Sequence, residues 1–273
     1  MKRRKRASVR RPPSRPVVSI VMLCHNDGKY LKGCLESLRR HTDPKRTPYE
    51  LILVNNASQD GSGPYLRRLA RARNVRLIEN RENRFFAGGN NQGIALARGR
   101  YVLLLNPDTV VGPQWLERLV ACAERDPEAG VTGPFTNGAV GHQLVRQPRY
   151  RSLEGFPAFA AACAMANDGR AREVHRLIGF CLLIKREVIE RVGLLDERFG
   201  PGGYEDYDYC VRARQAGYKI LLAEDVFIHH FGGKGYVGMD YDGLRARNRA
   251  ILADKWCRHI VETLDDIDAA LAN

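Results

Sequence analysis

Between Phe199 and Arg214 the chain reads FGPGGYEDYDYCVRAR, a glycine-rich turn that delivers Glu205, Asp206 and Asp208 to the start of a segment with helical spacing. Carboxylates suit a helix's first turn, where they offset unpaired amide N–H groups and the positive dipole end. Three acids in four residues, beside flexible glycines and three tyrosines, exceed what a cap needs. One of them could accept a proton from a bound hydroxyl. Asp108 follows the apolar run Tyr101–Leu105 and is either an oxygen ligand for a hard divalent cation or a turn former in Asn-Pro-Asp-Thr. His229 and His230 end the run that starts at Ile220, before two glycines; they could ligate a metal or be two partly exposed side chains in a turn.

The elements that must position these groups alternate as a parallel α/β sheet requires. Strands are expected at Val17–Leu23, Glu50–Val54, Val75–Glu79 and Tyr101–Leu105, with helices over Lys29–Arg40, Tyr65–Ala72 and about Asn90 to Ala97 between them. Pro113 suits the first turn of a helix over Gln114–Arg125, and Gly130–Thr132 reads as a short strand. Beyond it come a polar loop at Thr136–Tyr150, an Ala-rich helical stretch in Ser152–Ala171, a strand at Leu177–Ile184 and a short helix at Arg186–Val192. Strand Ile220–Ile228, a glycine-rich link over Gly232–Asp242 and a helix at Tyr241–Trp256 complete the pattern, with a short acidic helix or tail after it.

Open α/β sheets bind ligands beyond the carboxyl ends of their strands. The residues there are His25-Asn26-Asp27-Gly28, Asn55 through Asp60 to Ser62, Asn80 to Asn91, and Asn106-Pro107-Asp108-Thr109. Ordinary turn chemistry explains part of this polarity. The stretch Phe85 to Gly93 asks for more, because Gly88 and Gly89 would allow close backbone approach at a helix start, as a diphosphate requires. A dinucleotide fingerprint after the first strand and a P-loop lysine motif are both missing.

No window approaches the roughly eighteen apolar residues of a membrane span. The seven scattered cysteines, without a Cys-x-x-Cys pair, read as small core residues in a reducing cytoplasm. Eight of the thirteen net positive charges fall in residues 1–16, interleaved with prolines. Such a tail should be disordered and could meet an anionic membrane surface; no aromatic-rich recognition motif accompanies it, which argues against nucleic acid as the partner.

Taken in order, several motifs carry a resemblance to the inverting, family-two glycosyltransferases of the GT-A fold, over Val17 to Trp256. They are Val18–Asn26 with Tyr30-Leu31 and Cys34–Leu38, then Val54–Ser62, Ala87–Asn91 with Gly93, Leu105–Thr109, Ile178–Ile184, Val192–Phe199, and Glu205-Asp206-x-Asp208 with Arg212. The set is similar to the branch holding many rhamnosyl- and other polysaccharide-building transferases. The resemblance implies a single α/β domain with a Rossmann-like, mostly parallel sheet flanked by helices. It also implies a sugar-nucleotide half over residues 17–133 and an acceptor half over residues 134–256. Asp206 becomes the general base, with Glu205 the other holder of that role and Asp208 and Arg212 as supports. Asp108 matches the surviving acid of a metal motif for Mn²⁺ or Mg²⁺, completed by His230 or, because the histidine is doubled, His229. His25, Asn26, Asn55 and Asp60 fall to the nucleotide, Gly88, Asn91 and Asn106 to the ribose and diphosphate. The donor implied is a UDP- or dTDP-sugar, and the acceptor a glycan, a lipid-linked sugar or a peptide.

Two positions depart from the family: Asn55 and Asn106 stand where Asp is common. An amide can still pair with a pyrimidine edge, but one carboxylate fewer should weaken metal binding. Those amides leave room for a non-catalytic sugar-nucleotide sensor, against which the intact Glu-Asp block speaks. A nucleotidyltransferase would share the sheet and metal but lacks its glycine-rich, lysine-bearing opening loop here.

Overall fold

The computed structural model describes residues 15–232 and 240–256. Nearly all of the basic N-terminal segment, most of the glycine-rich link and the expected C-terminal tail lie outside the described residues.

Nine strands form one sheet: β1 (Val18–Cys24), β2 (Tyr49–Asn56), β3 (Val75–Asn80), β4 (Tyr101–Leu105), β5 (Thr109–Val110), β6 (Ala129–Thr136), β7 (Ala171–Glu173), β8 (Cys181–Lys185) and β9 (Lys219–His230). Their spatial order is β3-β2-β1-β4-β8-β6-β9-β5, with β7 also on β9. Strands β3, β2, β1, β4, β6 and β9 run parallel, β8 runs antiparallel between β4 and β6, and β5 and β7 pair antiparallel with β9. The sheet is the mostly parallel α/β sheet expected, and β8 from the second half interlocks with first-half strands.

Both faces are covered, which is why the strands read as unbroken apolar runs. Along β1, Val18, Ile20 and Met22 pack with Leu31, Leu35 and Leu38 of α1 (Gly28–His41) and Leu116 and Leu119 of α4 (Trp115–Arg125). Leu66 of α2 (Ser62–Leu69) joins this face. Val21 points oppositely, toward Ile94 of α3 (Phe85–Leu96), Val188 of α6 (Arg186–Val192) and Cys210 of α7 (Glu205–Gln215). Helix α5 (Phe156–Ala166) packs Phe156 and Ala160 against Phe227 of β9, and α8 (Tyr241–Trp256) packs Leu252 against Phe199 and Tyr207.

Several boundaries differ from expectation for physical reasons. Helix α3 starts at Phe85, not near Asn90, because Gly89 and Gly93 face Leu23 and Val21 of β1 so closely that no Cβ fits; packing overrides the poor helix propensity of glycine. Pro113 precedes the left-handed N-cap Gln114 and so lies outside the first turn of α4. β6 continues to Thr136, and β8 starts only at Cys181, since Leu177 to Phe180 form a loop beside α7. The short strands β5 and β7 carried no periodic signal.

Candidate active site

The acid-rich helix start is built by its approach. Gly202, Gly203 and Tyr204 all take positive φ (135°, 94° and 76°), a conformation glycine adopts freely, and the turn enters α7 at Glu205. Asn248, fully buried on α8, holds this turn by donating its amide to the carbonyls of Phe199 (2.8 Å), Gly202 (3.0 Å) and Gly203 (3.0 Å). Asp208 is also fully buried, and its carboxylate is occupied by Arg212 Nε (2.9 Å), Lys255 Nζ (2.7 Å) and Trp256 Nε1 (2.8 Å). It pairs with Arg212 one turn on and, through Lys255 and Trp256, fastens α7 to α8.

Glu205 and Asp206 are both buried, but their surroundings differ. Asp206 Oδ2 accepts from Gly179 N at 2.7 Å and Oδ1 from Tyr207 N at 2.8 Å. Glu205 Oε2 is buried without a hydrogen-bond partner among the described residues. Burial pushes both carboxyls up, Glu205 to about 8 with the Asp206 charge adding to the rise. At Asp206 the Arg176 guanidinium and the two amides oppose it. The two neighbouring acids thus sit in unlike settings: Asp206 is held by two amides and faces a guanidinium, whereas Glu205 has burial and a like charge against its ionised form.

At the end of β4, Asp108 Oδ1 lies 3.3 Å from His230 Nε2. The other ring nitrogen, Nδ1, lies 2.6 Å from Gly138 O and so carries a hydrogen. In neutral imidazole Nε2 is then a bare lone pair facing a carboxylate, two acceptors that come together favourably over a cation or a second ring proton. The pair fits a divalent cation on this ground. No group of three or more His, Cys, Asp or Glu suited to a metal occurs among the described residues, so further oxygens would come from a ligand. His229 is not part of the pair. Neighbours on a strand face opposite ways, and its Nδ1 bonds the Tyr150 hydroxyl within the rings of Phe156 and Phe231. Burial lowers the pKa of His229.

The loops after β1 and β2 are zipped together by the residues expected to hold nucleotide. His25 Nδ1 bonds Asn56 O (2.7 Å), Asn26 Oδ1 accepts from Gln59 N (2.7 Å), and Asp60 Oδ2 accepts from Gly28 N (2.7 Å). The other Asp60 oxygen takes the Ser62 hydroxyl, and these bonds, outweighing desolvation, lower its pKa. Asn55 is buried with its oxygen engaged by Ser58 N at 3.1 Å. Asn106 hangs by its backbone N–H from Phe180 O at 2.8 Å.

Gly88 and Gly89 lie inside α3, past its start at Phe85: Gly88 has the Glu197 carboxylate beside it, and Gly89 packs on Leu23. Asn91 spends its amide inside the protein, donating to Leu195 O (3.0 Å) and Glu197 Oε1 (2.9 Å) and accepting from Leu195 N (3.0 Å).

Sequence reasoning missed Asn56, whose side chain bonds Asn83, Asn80 and Arg84 N and so sets the start of α3. It also passed over Asp27, pushed up to about 7 by burial, with the charges of Asp108 and Asp60 adding to the rise. Both lie in the strand-end loops, which is the signal that could have found them. Arg176, whose guanidinium sits 4.8 Å over the Tyr207 ring, had no signal at all.

Among solved structures, the fold matches GalNAc-T7 with UDP, GalNAc and Mn²⁺ at a TM-score of 0.68 and 16% identity, covering 90% of this chain and 49% of that one. It also matches the mannosyltransferase PcManGT of Pyrobaculum calidifontis, in complex with GDP-Man and Mn²⁺, at 0.61 and 21%, covering 91% and 65%. The architecture is therefore the GT-A fold. In sequence, residues 19–193 match the Glycosyl transferase family 2 profile, and the chain belongs to that family. Glycosyltransferase AglE of Haloferax volcanii is 27% identical over 220 residues, which cover 79% of this chain and 67% of AglE. The N-acetylglucosaminyl-diphospho-decaprenol L-rhamnosyltransferase of Mycobacterium tuberculosis is 27% identical over 239 residues, 78% of this chain and 76% of the relative. The O-antigen biosynthesis protein RfbC of Myxococcus xanthus is 30% identical over 230 residues, only 17% of its length. No helix among the described residues is long and apolar enough to cross a membrane.

Proposed function

We propose that this glycosyltransferase is inverting and metal-dependent, moving a sugar from a UDP- or dTDP-sugar to an acceptor hydroxyl in polysaccharide assembly. Residues 17–133 bind the donor and residues 134–256 the acceptor, which is a glycan, a lipid-linked sugar or a peptide. The basic residues 1–16 suit contact with an anionic membrane surface on the cytoplasmic side.

The observation that carries the reading is the pairing of two unlike carboxylate settings. Asp206 is buried and hydrogen-bonded by two amides, while Asp108 lies 3.3 Å from His230 Nε2. Asp206 takes the proton from the acceptor hydroxyl as that oxygen attacks the sugar's anomeric carbon from the face opposite the leaving diphosphate. Glu205 beside it, raised to about 8 by burial and then by the neighbouring Asp206 charge, is the less suited of the two to that role. Asp108 and His230 would hold Mn²⁺ or Mg²⁺, which when bound offsets the charge developing on the departing nucleoside diphosphate. The single displacement inverts configuration at the sugar carbon.

A thermal-shift panel of nucleoside diphosphates and sugar nucleotides, with and without Mn²⁺, tests this reading, since preferential binding raises the melting point. Expected are a shift that needs both nucleotide and metal, and slow release of nucleoside diphosphate from the matching donor. Release of pyrophosphate would indicate nucleotidyl transfer instead, and binding without turnover toward any acceptor would indicate a sensor.

A further inference from the structure

The dipeptide Gly179-Phe180, in the loop before β8, touches α7, the loop after β4 and His230 of β9. Gly179 N–H donates to Asp206 Oδ2 at 2.7 Å. Phe180 O accepts from Asn106 N at 2.8 Å, two residues before Asp108. The Phe180 ring stacks on the His230 imidazole with centroids 4.8 Å apart and planes 16° from parallel. A Cβ at position 179 would stand 3.0 Å from Phe86 Cζ and 3.4 Å from Asp206 Cβ, so only glycine brings the amide this close without displacing a neighbour.

The Gly138 O bond fixes the tautomer of His230 at Nδ1 and limits rotation about Cβ–Cγ, but one hydrogen bond lets the ring plane rock, and narrowing that range needs a second constraint. The buried Phe180 face supplies it. We propose that Phe180 is a positioning residue: its ring orients His230 Nε2 toward Asp108, while the adjoining peptide aims Asp206, so one dipeptide sets the metal pair and the base together. This inference rests on the metal-dependent reading above.

The test is a titration of the full chain with Mn²⁺ plus UDP, dTDP or GDP, whichever wild type retains best, following free Mn²⁺ by electron paramagnetic resonance. Phe180→Leu removes the ring face, and Phe180→Met is the second variant should leucine disturb folding, checked by thermal melts. Loss of one aromatic stack should weaken Mn²⁺ retention about threefold to tenfold. The same substitution in a His230→Ala background should weaken it no further, because Phe180 acts through that ring. Crystal structures of the metal-free protein supply a readout independent of metal. Wild-type His230 should hold one ring orientation with Nε2 on Asp108, and the variants more than one.

Folded variants with wild-type Mn²⁺ retention and a single, unchanged His230 ring orientation would overturn the positioning role while leaving the metal site intact. An equal loss with and without His230 would also overturn it, since the ring would then act as packing only. If His230→Ala and Asp108→Ala both retain Mn²⁺ like wild type, the metal reading itself fails and the inference falls with it.

Discussion

The amide of Gly179 donates to Asp206 Oδ2 at 2.7 Å across 27 residues, so the base proposed for the reaction is aimed by a loop outside its own helix. Asp206→Asn keeps the shape and removes the charge. Sugar-nucleotide affinity by calorimetry should hold, while transfer falls by about 10²–10⁴-fold. Near-normal turnover would remove Asp206 from the role.

The facing of Asp108 and His230 at 3.3 Å leads to a second expectation. Chelation should abolish transfer, added Mn²⁺ should restore it in wild type, and Asp108→Ala should resist restoration. Full activity in chelator would assign leaving-group stabilisation to basic side chains.

Glu205 makes stability depend on pH. Its carboxyl is raised from 4.5 to about 8, so between those values the folded protein keeps a proton that the unfolded chain has released. Stability from this group is therefore complete at low pH, declines as pH rises through the window and levels off above it. Glu205→Gln resembles the protonated form. Its denaturation midpoint should match wild type near about pH 4 and exceed it near about pH 9, by an amount on the order of a few kcal/mol. Equal midpoints at alkaline pH would show that Glu205 is ionised without penalty.

Asn248 donates to three carbonyls of the turn that leads into α7. Asn248→Ala leaves those acceptors without their donor and should cost about 1–3 kcal/mol in urea unfolding. Transfer should drop more than nucleotide affinity, because the turn serves the Glu205-Asp206 side. A parallel loss of both would show a global effect.

Glycines on two helices should respond with opposite signs. Gly93 faces the stiff, β-branched Val21, and Gly93→Ala should destabilise by about 1–3 kcal/mol. Gly33 lies on the exposed side of α1 with no atom within 4 Å of an added Cβ, and Gly33→Ala should stabilise by about 0.4–1 kcal/mol. Thermal melts of the two variants decide the matter.

What could be read in advance followed from periodicity. Strands such as Tyr101–Leu105, buried on both faces, announce themselves as apolar runs, and Asp206 stood out by the density of acids around it. The start of α3 did not, because Ala-Gly-Gly-Asn-Asn has loop composition and becomes helical through close packing on β1. Nothing local to Asn91 reveals that Leu195, 104 residues away, bonds its side-chain amide. The pairing of Asp108 with His230 over His229 was likewise hidden until β5 and β9 fixed which histidine faces inward.

The insertion of β8 between β4 and β6 also bears on how the chain assembles. β4 and β6 are complete by residue 136, yet β8 runs from Cys181 to Lys185. During synthesis both strands wait with open, apolar edges until a segment made much later enters between them antiparallel. Such distant pairing is slow, and an unpaired edge of this kind invites association with other chains. The same insertion then carries Gly179 and Phe180 into place, ahead of α7 and of β9, which enters later still between β6 and β5.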